Sequence, residues 1–173
     1  MVDELGLIQV YFGEGKGKTT AALGTLLRAV GQGMKVLLIQ FFKNRFTGEL
    51  ASLQLLPGVD AYQFGSGEFI SGEVSPEDQR EFTLGWHMAQ EALKKGEYDI
   101  IILDELPYAF FYHLLTWEEM EKALKQKDSK VEVIITGRKV PEELIAIADL
   151  VSEVKLVKHP FSRGIPARRG LEY

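Results

Sequence analysis

Residues 13–20 read Gly13-Glu14-Gly15-Lys16-Gly17-Lys18-Thr19-Thr20, preceded by the apolar run Val10-Tyr11-Phe12 and followed by residues recurring at helical spacing. Glycines let backbone N–H groups close around phosphate oxygens, Lys18 would supply a point charge, and Thr19 a hydroxyl for a divalent cation. The usual G-x-x-x-x-G-K-[ST] spacing puts its first glycine at position 12, where this chain has Phe12. Gly13 arrives one residue late, so the loop is a tighter variant, and it carries a second lysine, Lys16.

A second stretch with chemical potential is Tyr98 to Glu105 (YDIIILDE). Four consecutive apolar residues end in Asp104-Glu105, a carboxylate pair at the carboxyl end of a buried strand. In phosphate-loop proteins an acid at this place holds magnesium, directly or through water. The competing reading is a strand-end acid or helix cap without a metal. Arg138, after the strand Val131–Thr136 (VEVIIT) and Gly137, can reach a phosphate or form a salt bridge with a neighbouring helix; the sequence leaves both open.

The intervening pattern predicts the elements that must position these residues. Leu7–Phe12 reads as a buried strand, and Ala22, Leu23, Leu26, Leu27 and Val30 as one face of a helix whose N-terminus faces the anion. Lys35–Phe42 is a nearly all-apolar strand, as in a parallel sheet covered on both faces. A short helix over 50–56 and a strand over 59–64 follow. Ser75 caps a helix with Pro76 at its first position, running to Lys95 before Gly96. Thr116 opens another, to about Lys127. Residues 141–148 read as a short helix and 150–157 as a last strand. The glycine-rich loop 65–76 is either a lid or pocket wall beyond a strand end, or an irregular connection with Phe69 tucked inward. Tyr108–Leu115 is a pocket wall, a subunit contact or plain core, with His113 at the surface. The basic tail, 155–173, is either a solvated surface or a segment ordered over an anionic substrate. The expectation is one α/β domain over residues 1–173, of RecA-like phosphate-loop type, with a mostly parallel sheet and helices on both faces.

Composition narrows the function classes. A net charge of −5 argues against a general nucleic-acid binder. No cysteine is present, which excludes disulfides and thiolate metal sites. No apolar run approaches the ~20 residues of a membrane span, and no signal peptide is evident, so a cytoplasmic protein is expected.

Together GEGKGKTTAALGTLLRAVGQGMKVLLIQFFK, YDIIILDELPYA, VIITGR, DLVSEV and VKHPFSRGIPARRGLEY resemble one family, the corrinoid (cobalamin) adenosyltransferases of phosphate-loop type. The similarity covers almost the whole chain in order, and the early glycine, second lysine and paired threonines match that family's loop. The resemblance implies that Co(I) of a corrinoid attacks C5′ of ATP and expels the intact triphosphate, in cobalamin biosynthesis or salvage. It implies a nucleotide site formed by Gly13, Glu14, Gly15, Lys16, Gly17, Lys18, Thr19, Thr20 and Glu105, with Lys18, Thr19 and Glu105 catalytic. Glu105 corresponds to the carboxylate that holds the ribose hydroxyls. Thr19 and Asp104 would attend magnesium or manganese. ATP lies reversed in the family, leaving C5′ exposed to the corrinoid. A homodimer and a reducing partner such as a flavoprotein are further implications.

Two departures stand out. Family members carry aromatics in the segment matching 67–70 that displace the corrinoid's lower axial ligand; here Glu68 and Ile70 flank a single aromatic, Phe69. Phe69 and Ile70 are therefore the corrinoid-side candidates, and Phe69→Ala should abolish the four-coordinate Co(II) signal in electron paramagnetic resonance. Only Met1–Gly6 precede the first strand, so the helical extension that some members lay over the partner's site is not expected from this end. The rival functions are a phosphotransferase or NTPase, for which no base is evident, and a non-enzymatic nucleotide-binding module.

Overall fold

The computed structural model describes residues 6–68, 70 and 72–171. Among them, β1 (Ile8–Phe12), β2 (Val36–Phe41), β3 (Val59–Phe64), β4 (Ile100–Asp104), β5 (Glu132–Gly137) and β6 (Leu150–Glu153) form one open sheet. Its order is β3-β2-β4-β5-β1-β6 and every pairing is parallel. The expected α/β class holds, with a wholly parallel sheet.

Strands β2, β4 and β5 are buried at every position, which is why their sequences lack polar alternation. Side chains of alternate residues feed two cores. On one side, α1 (Lys18–Gly31) and α2 (Gly48–Leu53) set Ala22, Leu26 and Leu53 against Val36, Leu38, Ile100, Ile102 and Ile134. On the other, α3 (Pro76–Lys95) and α5 (Trp117–Lys125) contribute Phe82, Leu93, Met120 and Leu124, packed against Leu37, Ile39, Ile101, Leu103, Val133 and Ile135. The short α4 (Tyr108–Phe111) and α6 (Glu142–Ile147) add Ala109 and Leu144 to this second core.

The helix ends follow their capping chemistry. The Ser75 hydroxyl accepts from the Asp78 N–H at 3.0 Å, and Gly96 takes the left-handed conformation that ends α3. Thr116 and Glu119 form a reciprocal capping box. The boundaries differ from expectation most at two elements. Helix α2 spans Gly48–Leu53, starting two residues and ending three residues earlier than expected. Strand β6 stops at Glu153 although apolar residues continue to Val157, because its neighbour β1 ends at Phe12. Val154 donates to the Phe12 carbonyl at 2.7 Å, and beyond that bond the adjacent chain is already the glycine turn. No helix among the described residues is long and apolar enough to cross a membrane.

One rung of the sheet matters most. Gln63, Gln40, Asp104 and Thr136 are register partners across β3, β2, β4 and β5. Two residues earlier the same face carries Leu38, Ile102 and Ile134. The sheet's α1 face thus changes from apolar to polar in one step, at the carboxyl ends where open α/β sheets place ligands.

Candidate active site

The glycine loop sits between the ends of β1, β5 and β6. Gly13 donates to the Arg138 carbonyl at 3.0 Å and Gly15 to the Val154 carbonyl at 2.7 Å. Gly13 has φ 116°, and a Cβ there would lie 2.5 Å from the Val154 oxygen, so no other residue fits. Phe12 is the last residue of β1 and packs into the α3-side core. The position where an ordinary phosphate loop has its first glycine is therefore still strand, and the loop turns one residue later.

Lys18 and Thr19 open α1, where unpaired N–H groups and the helix dipole favour an anion. The Lys18 ammonium donates to the Gly15 carbonyl at 2.7 Å. Burial lowers its pKa, helped by Arg138 and only partly countered by Glu105, Glu14 and Asp104. Glu14 pairs with Arg138 at 3.1 Å, both half exposed. That contact ties the end of β5 to the glycine loop and not to a helix, a bond worth at most about 1 kcal/mol in water.

The polar rung converges on Asp104, which is fully buried. One carboxylate oxygen accepts from the Thr19 hydroxyl at 2.7 Å and the Thr136 hydroxyl at 2.6 Å; the other accepts from the Gln40 amide at 2.9 Å and Lys43 Nζ at 2.7 Å. Gln63 donates to the Gln40 carbonyl oxygen at 2.9 Å, which fixes the orientation of the Gln40 amide. Burial alone would raise the pKa of Asp104, but Lys43 and the hydroxyl donors outweigh it and hold the group ionised below the usual range. The same contact keeps Lys43 charged: burial lowers its pKa, Asp104 more than restores it.

Glu105 behaves oppositely. Its Oε2 is buried with no hydrogen-bond partner, and its pKa is raised by burial first and then by Asp104 beside it. Its backbone is left-handed, φ 62°, a conformation costing an L-residue ~1–2 kcal/mol. The Glu105 N–H donates to the Thr136 hydroxyl at 3.1 Å, which helps hold that turn. An orphaned carboxylate oxygen on a strained turn is what a site awaiting a ligand's donors would look like.

The raised pKa makes a prediction. Protonation of Glu105 favours the folded state, so its contribution is full below the ordinary carboxylate range and is lost as pH rises through the elevated value. Glu105→Gln should therefore melt ~2–4 °C above the parent at neutral pH, for about 1 kcal/mol, without ligand. The gap should close on acidification; melting curves with a pH-independent gap would reject this assignment.

Two cavities meet here. One, of about 500 Å³, is lined by Lys16, Lys18, Thr19, Lys43 and Glu105 among others. The second, of about 320 Å³, is walled by Phe41, Phe42, Tyr108, Tyr112, Ile70 and Arg138, with Glu105 and Lys43 again on its border. Tyr108 and Tyr112 stack at 6.2 Å, and Phe42 meets Tyr112 edge-on at 5.3 Å, so Tyr108–Leu115 supplies a pocket wall, with His113 exposed as expected. The tail closes the first cavity: Gly170 and Leu171 line it, and Lys16 Nζ donates to the Leu171 carbonyl at 2.8 Å. Of the corrinoid-side candidates, Ile70 lines the second cavity, while Phe69 lies outside the described residues.

The structure thus brings Lys16, Lys18, Thr19, Thr20 and Glu105 around one cavity, with Asp104 beneath it. Sequence reasoning missed Gln40, Lys43 and Thr136. A signal existed for two of them: Gln40 is the lone polar residue of β2 and Thr136 shares β5 only with Glu132 at its start, a costly arrangement unless they are bonded. Lys43 left no such mark, because a lysine in the polar stretch 43–49 reads as solvated.

The parallel sheet, with a glycine loop leading from β1 into α1 and an acid at the end of β4, defines an α/β protein consistent with the RecA-like phosphate-loop class. Comparison with known proteins narrows this. The model of the family ATP:corrinoid adenosyltransferase BtuR/CobO/CobP matches residues 4–173, and the chain belongs to that family. A corrinoid adenosyltransferase of Escherichia coli (strain K12) is 38% identical over 99% of this chain and 87% of its own. Those of Salmonella typhimurium and Pseudomonas aeruginosa are 36% and 34% identical, over 99% of this chain and 87% and 85% of theirs.

Proposed function

We propose that this protein transfers the 5′-deoxyadenosyl group of ATP to the Co(I) centre of a corrinoid, releasing triphosphate, within cobalamin biosynthesis. The observation that carries this reading is Glu105. Its partnerless carboxylate oxygen lies on the border between a cavity lined by cations and helix N–H groups and one walled by aromatic rings. A triphosphate suits the first, a flat corrinoid face approached through the second suits the other, and ribose hydroxyls between them would supply the donors that Glu105 lacks.

The residues have separable tasks. Loop N–H groups, Lys18 and Lys16 would meet the triphosphate, whose charge grows as it leaves C5′. No general base is required, since the Co(I) nucleophile carries no proton. Magnesium fits Thr19 with Asp104 behind it: the Thr19 hydroxyl donates its hydrogen bond to Asp104, which leaves the hydroxyl lone pairs, hard oxygen donors, for a cation, and Asp104, its own acceptor sites taken by four donors, would act through Thr19. Bound there, the ion would neutralise charge on the phosphates. A homodimer, a reducing protein partner and a cytoplasmic location complete the proposal on family grounds.

Incubating the protein with ATP, magnesium and chemically reduced cobalamin should yield adenosylcobalamin, seen in its visible spectrum, together with triphosphate. Formation of ADP and phosphate in its place would overturn the reading.

A further inference from the structure

We propose that Lys43 is a catalytic residue of the transfer, its ammonium meeting the end of the triphosphate nearest C5′ and neutralising the charge that gathers on the departing oxygen. This rests on the adenosyl-transfer reading above. Among the described residues, Lys43 and Glu105 are the two that line both cavities. If triphosphate fills one cavity and the corrinoid approaches through the other, the C5′–O5′ bond lies at their junction. Of the pair at that junction, the cation is Lys43.

The backbone is bent to put it there. Phe41 and Phe42 both pack on Phe82, at 5.6 and 5.8 Å between ring centroids, although neighbours in a strand should face opposite ways. Phe42 achieves this with φ 57°, one of three non-glycine residues with positive φ among those described. The reversal returns the next residue, Lys43, to the Asp104 side, where its Nζ meets Oδ2 at 2.7 Å. Strain of this kind persists where the surroundings demand it. Both Asp104 oxygens also accept from neutral donors, Thr19 and Thr136 on one and Gln40 on the other, so the carboxylate stays hydrogen-bonded on each side without Lys43. The ammonium has three protons, and one directed at Asp104 leaves two for phosphate oxygens.

In the step itself, the Co(I) electron pair forms the Co–C5′ bond while the C5′–O5′ pair departs on O5′ of the triphosphate. Cobalt ends formally as Co(III), and no proton moves. A cation at O5′ interacts more strongly with the transition state than with bound ATP, so it acts on the rate at saturation rather than on binding.

The test compares the full-length protein with Lys43→Met, Lys43→Gln and Lys43→Arg, using ATP, magnesium and chemically reduced cobalamin. Single-turnover rates at saturation are measured beside the ATP dissociation constant from calorimetry and the melting temperature. Lys43→Met and Lys43→Gln should lose ~10²-fold or more in saturated rate, with ATP affinity within about fivefold of the parent by the same reasoning. Lys43→Arg should recover part of the loss. The glutamine variant can still donate to Asp104, so it carries the test should the methionine variant fail to fold. A saturated rate near the parent's in the neutral variants, or a loss confined to ATP affinity, would overturn the proposal while leaving adenosyl transfer standing. An inactive parent protein would overturn both.

Discussion

Replacing Lys18 by alanine should lower the rate of adenosyl transfer by ~10²–10³-fold, with a melting temperature within about 2 °C of the parent. The asymmetry follows from what Lys18 does in each state. Without ligand its ammonium has one bond, to the Gly15 carbonyl, and removing it breaks no ion pair among the described residues, while Glu105 keeps the countercharge of Lys43 and Arg138. Burial has already lowered its pKa, so the cation is under-stabilised and gains when phosphate arrives. In the transition state the triphosphate carries additional charge, and the lost interaction is greatest there. Single-turnover rates beside calorimetric melting curves check both halves. A variant retaining even a tenth of the parent rate would show that the helix N–H groups and Lys16 suffice.

For Asp104→Ala the expected effect on folding is the largest of any single change in the site. It should destabilise the ligand-free protein by ~3–5 kcal/mol, a fall in melting temperature on the order of 10 °C for a chain of this size. Four donors lose their common acceptor, and Lys43 loses the charge that keeps it ionised in a partly buried place. Asparagine would rescue only part: with its oxygen turned to Gln40 and Lys43 its NH2 can donate to the Thr19 and Thr136 hydroxyls, but the negative charge that pairs with Lys43 is lost. The pH dependence has a definite sign. With its folded pKa depressed, Asp104 contributes stability that is present above the ordinary carboxylate range and is lost as pH falls through the lowered value. The gap between parent and Asp104→Ala should therefore be widest near neutrality and shrink in acid. Equal melting temperatures near neutrality would reject the rung as a stabilising network.

Periodicity and capping chemistry make most of the architecture legible in the sequence, since both are local. All-apolar runs announce buried parallel strands, and Ser75, Gly96 and Thr116 mark helix ends through bonds that span three or four residues. What stays hidden is what depends on distant partners. The apolar residues after Glu153 look like strand, yet a strand is as long as its neighbour allows, and β1 stops at Phe12. Lys43 is 61 residues from the acid it serves. The bond from Lys16 to Leu171 spans 155 residues, and nothing in the charge pattern of the tail announces it. The loop and Asp104-Glu105 are legible because phosphate and metal chemistry restrict residue types strongly; the pieces that brace them are ordinary polar residues.

The row of Gln63, Gln40, Asp104 and Thr136 has a bearing on how such a protein can change over time. Its members belong to four strands, and each faces α1 only because its count from the strand's start has the right parity. Loss of one residue within β4 would swing Asp104 toward the α3 core and bring Glu105 up in its place, so no conservative replacement elsewhere could restore the site. Loss of one residue from the stretch after Lys43 leaves that parity intact and reshapes the walls of both cavities, since Arg45 lines one and Gly48 and Glu49 the other. Insertions and deletions are thus forbidden inside the central strands, and the cavities can drift in shape only by changes of length beyond the strand ends, where the register of the Asp104 row is left intact.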